Sequence, residues 1–406
     1  MLIAIAPVSS GLVQETGNPN PALNPETNGV ELLLPDSTLK YRGVISADMA
    51  SGDAAHELLV DFGSKGAWWL GGKTGSWVKV TSDDPYTMIP IEIDGDSAIE
   101  VVLDFDAKGL WLFNYSGTVS WTRLTGDDPG QMVAADDDFD GIQELSVDFD
   151  TKGLWHYDYT YGWRKRTNDN PSYGFRMDTS FPGYEETVWT FPGNGIWRVF
   201  GSPTTYWNKL TEDAMSDDCV SAELGIGDDA EEFVADLYPL GLWGYNGTTW
   251  TRLTTADPFD IRAVKFVGNP DYEFLVSFNY TTTPGLWWWN TNTGTFPGVF
   301  YKLTNDNPTH DEAFCEPFDP NGTIELTGDE EVAVDFGAKG LWLFNYSAGS
   351  WQKLTNDSPR FMVRSDLDGD GVDNYLICDF SDKGLWYYSG KTGTWTRLTG
   401  DSPDPY

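Results

Sequence analysis

A three-residue signature, Gly-x-Trp, recurs eight times along this 406-residue chain and leaves few folds open to it. It reads Gly-Leu-Trp at Gly109, Gly153, Gly241, Gly285, Gly340 and Gly384, Gly-Ala-Trp at Gly66 and Gly-Ile-Trp at Gly195. Successive glycines lie 43, 44, 42, 46, 44, 55 and 44 residues apart. A period of this size belongs to an array of one supersecondary unit, since each unit buries its apolar face only against its neighbours. Length alone suggests two or three domains, but a closed array is one.

An averaged unit runs through an apolar segment, an acidic loop, Glu-Leu-x-Val-Asp-Phe, a Lys-Gly turn, Leu-Trp, a second turn, Ser-Trp-x-x-Leu-Thr and an Asp-x-Pro turn. In the second copy these are residues 88–93, the loop to Glu100, 101–105, Lys108-Gly109, 110–114, 121–125 and Asp127-Asp128-Pro129. Four short β-branched or aromatic runs, each bounded by Gly, Asn, Asp or Pro, predict four antiparallel strands per unit. Eight such units predict an all-β, eight-bladed β-propeller over residues 41–406, with a seven-bladed ring as the alternative. Residues 1–40, rich in Pro and Asn, read as an extended arm or linker. Their apolar start lacks a basic flank, so it fits an arm better than a signal-peptide remnant.

Fifteen of the 19 tryptophans fall at two positions of the unit, eight in Gly-x-Trp and seven in the fourth strand. Rings recurring at fixed places within apolar strands are expected to pack between blades. The four off-pattern tryptophans, Trp69, Trp189, Trp288 and Trp289, are the candidates for stacking on sugars, together with the insertion 310–330. Between strands two and three, Asp61/Lys65, Asp104/Lys108, Asp148/Lys152, Asp335/Lys339 and Asp379/Lys383 stand four apart. This spacing predicts an ion pair pinning the turn, worth about 0–1 kcal/mol if exposed.

The chemically informative segment is the loop between strands one and two. The eighth copy carries Asp366, Asp368, Asp370 and Asn374, and the third carries Asp136, Asp138, Asp140 and Glu144. Both place oxygen groups at positions 1, 3, 5 and 9, with glycine at 6 (Gly371, Gly141). Alternate positions of a tight loop turn carboxylates to one centre, and such hard donors suit Ca²⁺. The second copy has Glu92, Asp94, Asp96 and Glu100 at the same spacing, with Ser97 in the glycine's place. The first keeps Asp48, Asp53 and Glu57, and the fifth keeps Asp228 and Glu232. The fourth (Ser180, Pro182) and sixth (Lys265, Val267) are not expected to bind.

This loop followed by a hydrophobic strand resembles the FG-GAP/VCBS repeats of integrin α-type propellers. The resemblance spans residues 44–399 and implies Ca²⁺ at the rim and a secreted or surface protein that binds or scaffolds. The chain carries Val-Asp-Phe-Gly-x-Lys-Gly-Leu-Trp where integrin repeats carry Gly-Ala-Pro, so integrin-like ligand recognition is not implied.

A formal charge of −38, from 63 acidic and 25 basic residues, disfavours nucleic acid and anionic lipid as partners. No run reaches the roughly 20 apolar residues of a membrane span. Cys219, Cys315 and Cys378 lack metal-ligand spacing, and they allow one internal bridge at most. His56, His156 and His310 stand at non-equivalent positions, with neither His-Glu-x-x-His nor Gly-x-Ser-x-Gly in the chain. The expectation is therefore an extracellular or periplasmic binding module taking a protein or glycan partner. A lectin is the alternative, and a polysaccharide-active enzyme the more distant one.

Overall fold

The computed structural model describes residues 43–404 apart from 51–53, 74, 97, 179–184, 214–218, 223–231, 265, 267–272, 279–283, 291–297, 310–314 and 321–330. Residues 1–42, Asp53, Asp228, Ser180, Pro182, Lys265, Val267 and most of the insertion at 310–330 lie outside the described residues.

Eight four-stranded antiparallel sheets follow one another in chain order and close into a ring. The eight-bladed expectation holds and the seven-bladed alternative falls. Blade 1 consists of β1 (Val44–Ala47), β2 (Glu57–Asp61), β3 (Ala67–Leu70) and β4 (Trp77–Lys79). Blade 2 holds β5 (Thr87–Ile91), β6 (Glu100–Asp104), β7 (Leu110–Tyr115) and β8 (Val119–Arg123). Blade 3 holds β9 (Gln131–Ala135), β10 (Glu144–Asp148), β11 (Leu154–Asp158) and β12 (Gly162–Lys165). Blades 4 to 7 span 173–211, 219–252, 260–304 and 315–353, and supply β13 to β28. Blade 8 holds β29 (Phe361–Ser365), β30 (Tyr375–Asp379), β31 (Leu385–Ser389) and β32 (Thr394–Arg397). First strands neighbour one another around the axis, and β29 meets β1 to complete the circle. The chain end helps to close it, for the Asp404 amide donates to Asp61 O as the Tyr86 amide does to Asp104 O one blade on.

The glycine of the signature is dictated by a close approach. All eight adopt left-handed backbone, with φ from +76° to +111°. A Cβ on any of them would fall 2.0–2.5 Å from the carbonyl oxygen of a threonine at or just past the end of the fourth strand, Thr81 in blade 1 and Thr399 in blade 8. No side chain fits there, and L-residues avoid that φ.

The tryptophans stitch blades together, as expected. Apolar clusters join neighbouring blades, for example Val60 and Leu70 of blade 1 with Val363 and Tyr387 of blade 8. Fourth-strand Trp77, Trp163, Trp250 and Trp395 each donate Nε1–H to a leucine carbonyl of the preceding blade. Every signature tryptophan is half-buried and carries a fourth-strand Lys or Arg over its ring, from Lys79 on Trp68 to Arg397 on Trp386. Such contacts add about 0.5–1 kcal/mol each at exposed sites.

The expected ion pair within the strand-two turn is not what forms. Lys65, Lys108, Lys152, Lys339 and Lys383 reach instead to Asp401, Asp83, Asp127, Asp306 and Asp357, in the Asp-x-Pro turn of the preceding blade. The strand-two aspartate turns inward and accepts the backbone amide two residues on, as Asp61 does from Gly63 at 2.9 Å. The four-residue spacing thus serves two contacts, one within the turn and one across the blade joint. No disulfide joins the three cysteines, which are all buried.

Candidate functional site

The acidic loops and the turns between strands three and four share one face of the ring; the Lys–Asp joints occupy the other. In blade 3, the Asp136 carboxylate accepts the amides of Asp140 (3.1 Å) and Gly141 (2.9 Å), which bends the loop back on itself. Gly141 makes the bend at φ +88°. Asp140 Oδ1 accepts the Ile142 amide at 3.0 Å, and Glu144 Oε2 accepts the Asp137 amide at 2.9 Å. One oxygen each from Asp136, Asp138, Asp140 and Glu144 then lies within 4.8 Å of the others. All four expected residues of this copy are brought together. Burial, with nearby Glu185, pushes Asp136 up to about 7, while burial and the carboxylates of Asp137 and Asp138 push Glu144 up strongly. Asp138 Oδ1 is buried without a hydrogen-bond partner.

Blade 2 brings Glu92, Asp94 and Asp96 within the same distance. Asp94 and Asp96 each accept an amide two residues on, and Glu92 accepts the Gly95 amide at 2.7 Å. Glu100 does not join the oxygens that meet there. Its Oε2 accepts the Ile93 amide at 3.2 Å and its Oε1 the Asn114 side-chain amide at 2.9 Å. Burial pushes its carboxyl up to about 8.

The other blades explain Glu100. Each of blades 1 to 7 has a buried glutamate four residues before its strand-two aspartate position (Thr190 in blade 4 and Ser277 in blade 6): Glu57, Glu100, Glu144, Glu186, Glu232, Glu273 and Glu331. Glu57 accepts the Met49 amide and Glu273 the Phe266 amide, as Glu144 does for Asp137. The recurring glutamate pins the loop to the blade, even in blades whose loops lack the acidic triad. Asn345 supports Glu331 as Asn114 supports Glu100, each donating its side-chain amide to the glutamate.

Blade 8 assembles Asp366, Asp368 and Asp370. Asp366 accepts the amides of Gly369, Asp370 and Gly371 at 2.7–3.2 Å, and Asp370 accepts the Asn374 amide group at 3.1 Å. Asn374 Oδ1 is buried and unbonded. Here, however, the protein supplies cations. Lys391 pairs with both Asp368 and Asp370, and Lys73 of blade 1 lies 4.0 Å from Asp368. The Tyr375 hydroxyl donates to Asp368 at 2.7 Å. Burial alone would raise Asp368, but Tyr375 and Lys391 outweigh it and hold the carboxyl below its ordinary range.

One further group escaped the sequence reading. Asp137, behind the blade 3 loop, is 1% exposed and meets Arg166 at 2.8 Å and His156 at 3.4 Å. Burial, with Arg166 and Arg164 nearby, drives His156 down to about 2, so it is neutral. The available signal was departure from the repeat. Asp137 stands where other blades place Met49, Ile93, Phe266 and Leu367, and Arg166 where they place Val80, Leu124, Leu354 and Leu398.

The sugar-stacking candidates fare poorly. Trp189 and Trp289 are fully buried and Trp288 is 8% exposed. Trp69 stacks on Tyr115 with centroids 4.6 Å apart. The three buried rings offer no open face, and Trp69 is half-buried with one face on Tyr115.

No protein-family model matches the chain, and no curated protein matches it in sequence. Among solved structures it is similar to BBS1N from its complex with ARL6DN, at 13% identity and a TM-score of 0.46, over 72% of this chain and 87% of that one. It is also similar to the BP39L lectin from Burkholderia pseudomallei, at 12% identity and a TM-score of 0.44, over 76% and 94%. An ancestral GH74 enzyme gives 13% identity and a TM-score of 0.40, over 86% of this chain and 60% of that one. At such identities nothing about function follows from these likenesses.

Proposed function

We propose that the chain is a secreted or cell-surface binding and scaffolding module whose loop face is held in shape by Ca²⁺, in the manner of the FG-GAP/VCBS repeats it resembles. One observation carries this reading. Four carboxylates of the blade 3 loop converge within 4.8 Å, and among the described residues no Lys or Arg forms an ion pair with them. Like charges so close raise one another's pKa and destabilise the fold unless a proton or a cation intervenes. Extracellular Ca²⁺ at millimolar levels, with an affinity near 10⁻⁴ M, adds roughly 1–2 kcal/mol per site. In a cytosol the same loops stay largely empty. A rigid, acidic loop face suits a protein partner that docks through basic groups or shares the bound cation.

Thermal unfolding in millimolar Ca²⁺ and in chelator, with a count of bound metal, tests the reading. A higher melting temperature and at least one bound equivalent are expected. An unchanged melting curve with no bound metal overturns it. Glycan binding remains the second outcome to screen; saturable binding on a glycan array, competed by free sugar, would transfer the function to a lectin.

A further inference from the structure

The opposite face of the ring carries a carboxylate cluster that the Ca²⁺ reading does not use. Six blades carry a strand-two aspartate there, and three of them supply it with a side-chain donor from the turn leaving the blade. In blade 8, Ser402 donates to Asp379 at 2.7 Å and Arg360 at 2.6 Å. In blade 7, Ser358 (2.6 Å) and Thr309 (3.1 Å) donate to Asp335. In blade 3 the Asn170 amide, with its nitrogen turned inward, donates to Asp148 at 3.0 Å. Blades 1, 2 and 5 place Asp84, Asp128 and Asp257 where those donors stand.

Blade 1 resolves the conflict with a hydrogen bond between Asp61 and Asp84, which requires a shared proton. Blade 2 does not. Asp104 is 0% exposed; its Oδ1 accepts the Asp106 amide at 2.9 Å, and its Oδ2 is buried with no partner at all. The orphaned group faces the exposed carboxylates of Asp106 and Asp128, and one oxygen from each of the three lies within 4.8 Å of the others. The lysines that follow in the strand-two turns of blades 2 and 3 are engaged elsewhere, Lys108 with Asp83 and Lys152 with Asp127. A buried acceptor without a donor bears the full desolvation penalty, which is larger still when it is charged.

We infer that Asp104, Asp106 and Asp128 form a divalent-cation site at the exit of blade 2, on the face away from the acidic loops. Three carboxylate oxygens at this separation suit a hard ion with oxygen-only ligands, and the two exposed carboxylates leave room for water to complete the shell. The ion would clamp the turn between blades 2 and 3 to the β6–β7 turn, the task that the Ser402 hydroxyl performs in blade 8.

Two variants borrow residues that blade 8 already uses at the equivalent positions, Asp128→Ser after Ser402 and Asp106→Ser after Ser381. The full chain, stripped with chelator and dialysed against Ca²⁺, is expected to lose one bound equivalent in either variant relative to wild type. Asp138→Asn, in the blade 3 loop, should remove a different equivalent, and the losses should add. A loss with Asp128→Ser but not with Asp138→Asn would retain this site and reject the loop reading. Wild-type metal content in both serine variants overturns the inference, and proton release on raising the pH in chelator would then assign the cluster a shared proton. Asp106→Ser keeps the test decisive if Asp128→Ser fails to fold.

Discussion

The loops of blades 3 and 8 carry the same oxygen pattern and meet opposite electrostatic surroundings. In blade 8, Lys391, Lys73 and Tyr375 reach the carboxylates, and Asp368 is held below its ordinary pKa. In blade 3 Arg166 is committed to Asp137, among the described residues no Lys or Arg pairs with the loop carboxylates, and Asp136 and Asp138 are both raised by burial. Behind the loops the contrast repeats. Blade 3 packs Asp137, His156 and Arg166 where blade 8 packs Leu367, Tyr387 and Leu398. The blade 8 loop is met by ammonium groups of blades 8 and 1 over an apolar backing; blade 3 keeps both loop and backing polar. A repeated scaffold lets one position be read against another, and the exceptions mark where an outside cation is needed.

The largest effect should come from the backing. Arg166→Leu leaves the Asp137 carboxylate buried without its partner, which costs about 3–5 kcal/mol. Combining it with Asp137→Leu and His156→Tyr installs the blade 8 arrangement and should recover most of that loss. Denaturant midpoints of the single and triple variants measure the difference. A triple variant no more stable than Arg166→Leu would break the equivalence of the two blades.

Much of the fold was legible because the constraint is local and repeated. A left-handed glycine against a threonine carbonyl leaves one residue type, so the signature survives in all eight blades, and with it the strand pattern. The loop acids were legible for the same reason: Asp136 and Asp366 organise their loops through amides three to five residues away. Contacts across blade joints were not. Lys65 stands four residues from Asp61 and bonds Asp401, 336 residues off, and no spacing within a unit encodes that. Glu100 and Glu144 occupied a ligand position in the loop pattern, but their first role is to hold the loop backbone, visible only when seven blades are laid together. Lys391 lies in a different turn from the acids it neutralises, so the pattern gave blades 3 and 8 equal standing when their electrostatics differ.

The next effect is a pH dependence of opposite sign in the two blades. Asp136 sits at about 7 when folded, against an ordinary value near 4. The folded chain therefore holds the extra proton; this stability is complete below about pH 4 and is lost as pH rises through 7. Asp368, held low, contributes stability that is present above about pH 4 and lost as pH falls below it. In chelator, the chain should lose on the order of 2 kcal/mol between pH 5 and pH 8, after allowance for partial solvation of Asp136. Ca²⁺ should abolish the decline, and melting curves across that range with and without the ion would show it. A decline that persists in saturating Ca²⁺ would dissociate the blade 3 carboxylates from the metal.

Within the Ca²⁺ response itself, the two loops should separate. Asp138→Asn should remove roughly 1–2 kcal/mol of Ca²⁺-dependent stabilisation, whereas Asp368→Asn should remove less, because Lys391 already competes for that loop. Comparing the shift in melting temperature on adding Ca²⁺ distinguishes them. Equal losses would mean that Lys391 swings clear when the ion arrives.

The smallest effect isolates that lysine. Lys391 is partly exposed, so its ion pairs with Asp368 and Asp370 contribute under about 1 kcal/mol in the absence of metal. Lys391→Met should therefore barely change melting in chelator. The same substitution frees two carboxylates and removes a positive charge from the place an ion would occupy, so Ca²⁺ affinity at blade 8 should rise by about tenfold, the equivalent of 1.4 kcal/mol. Calorimetric titration of Lys391→Met in an Asp138→Asn background reads this site with blade 3 silenced. A rise would show that blades 3 and 8 share a latent cation site and differ chiefly in one ammonium group. Unchanged affinity would place the difference in the backing, with Leu367 and Leu398 making the blade 8 loop too dry to take up the ion.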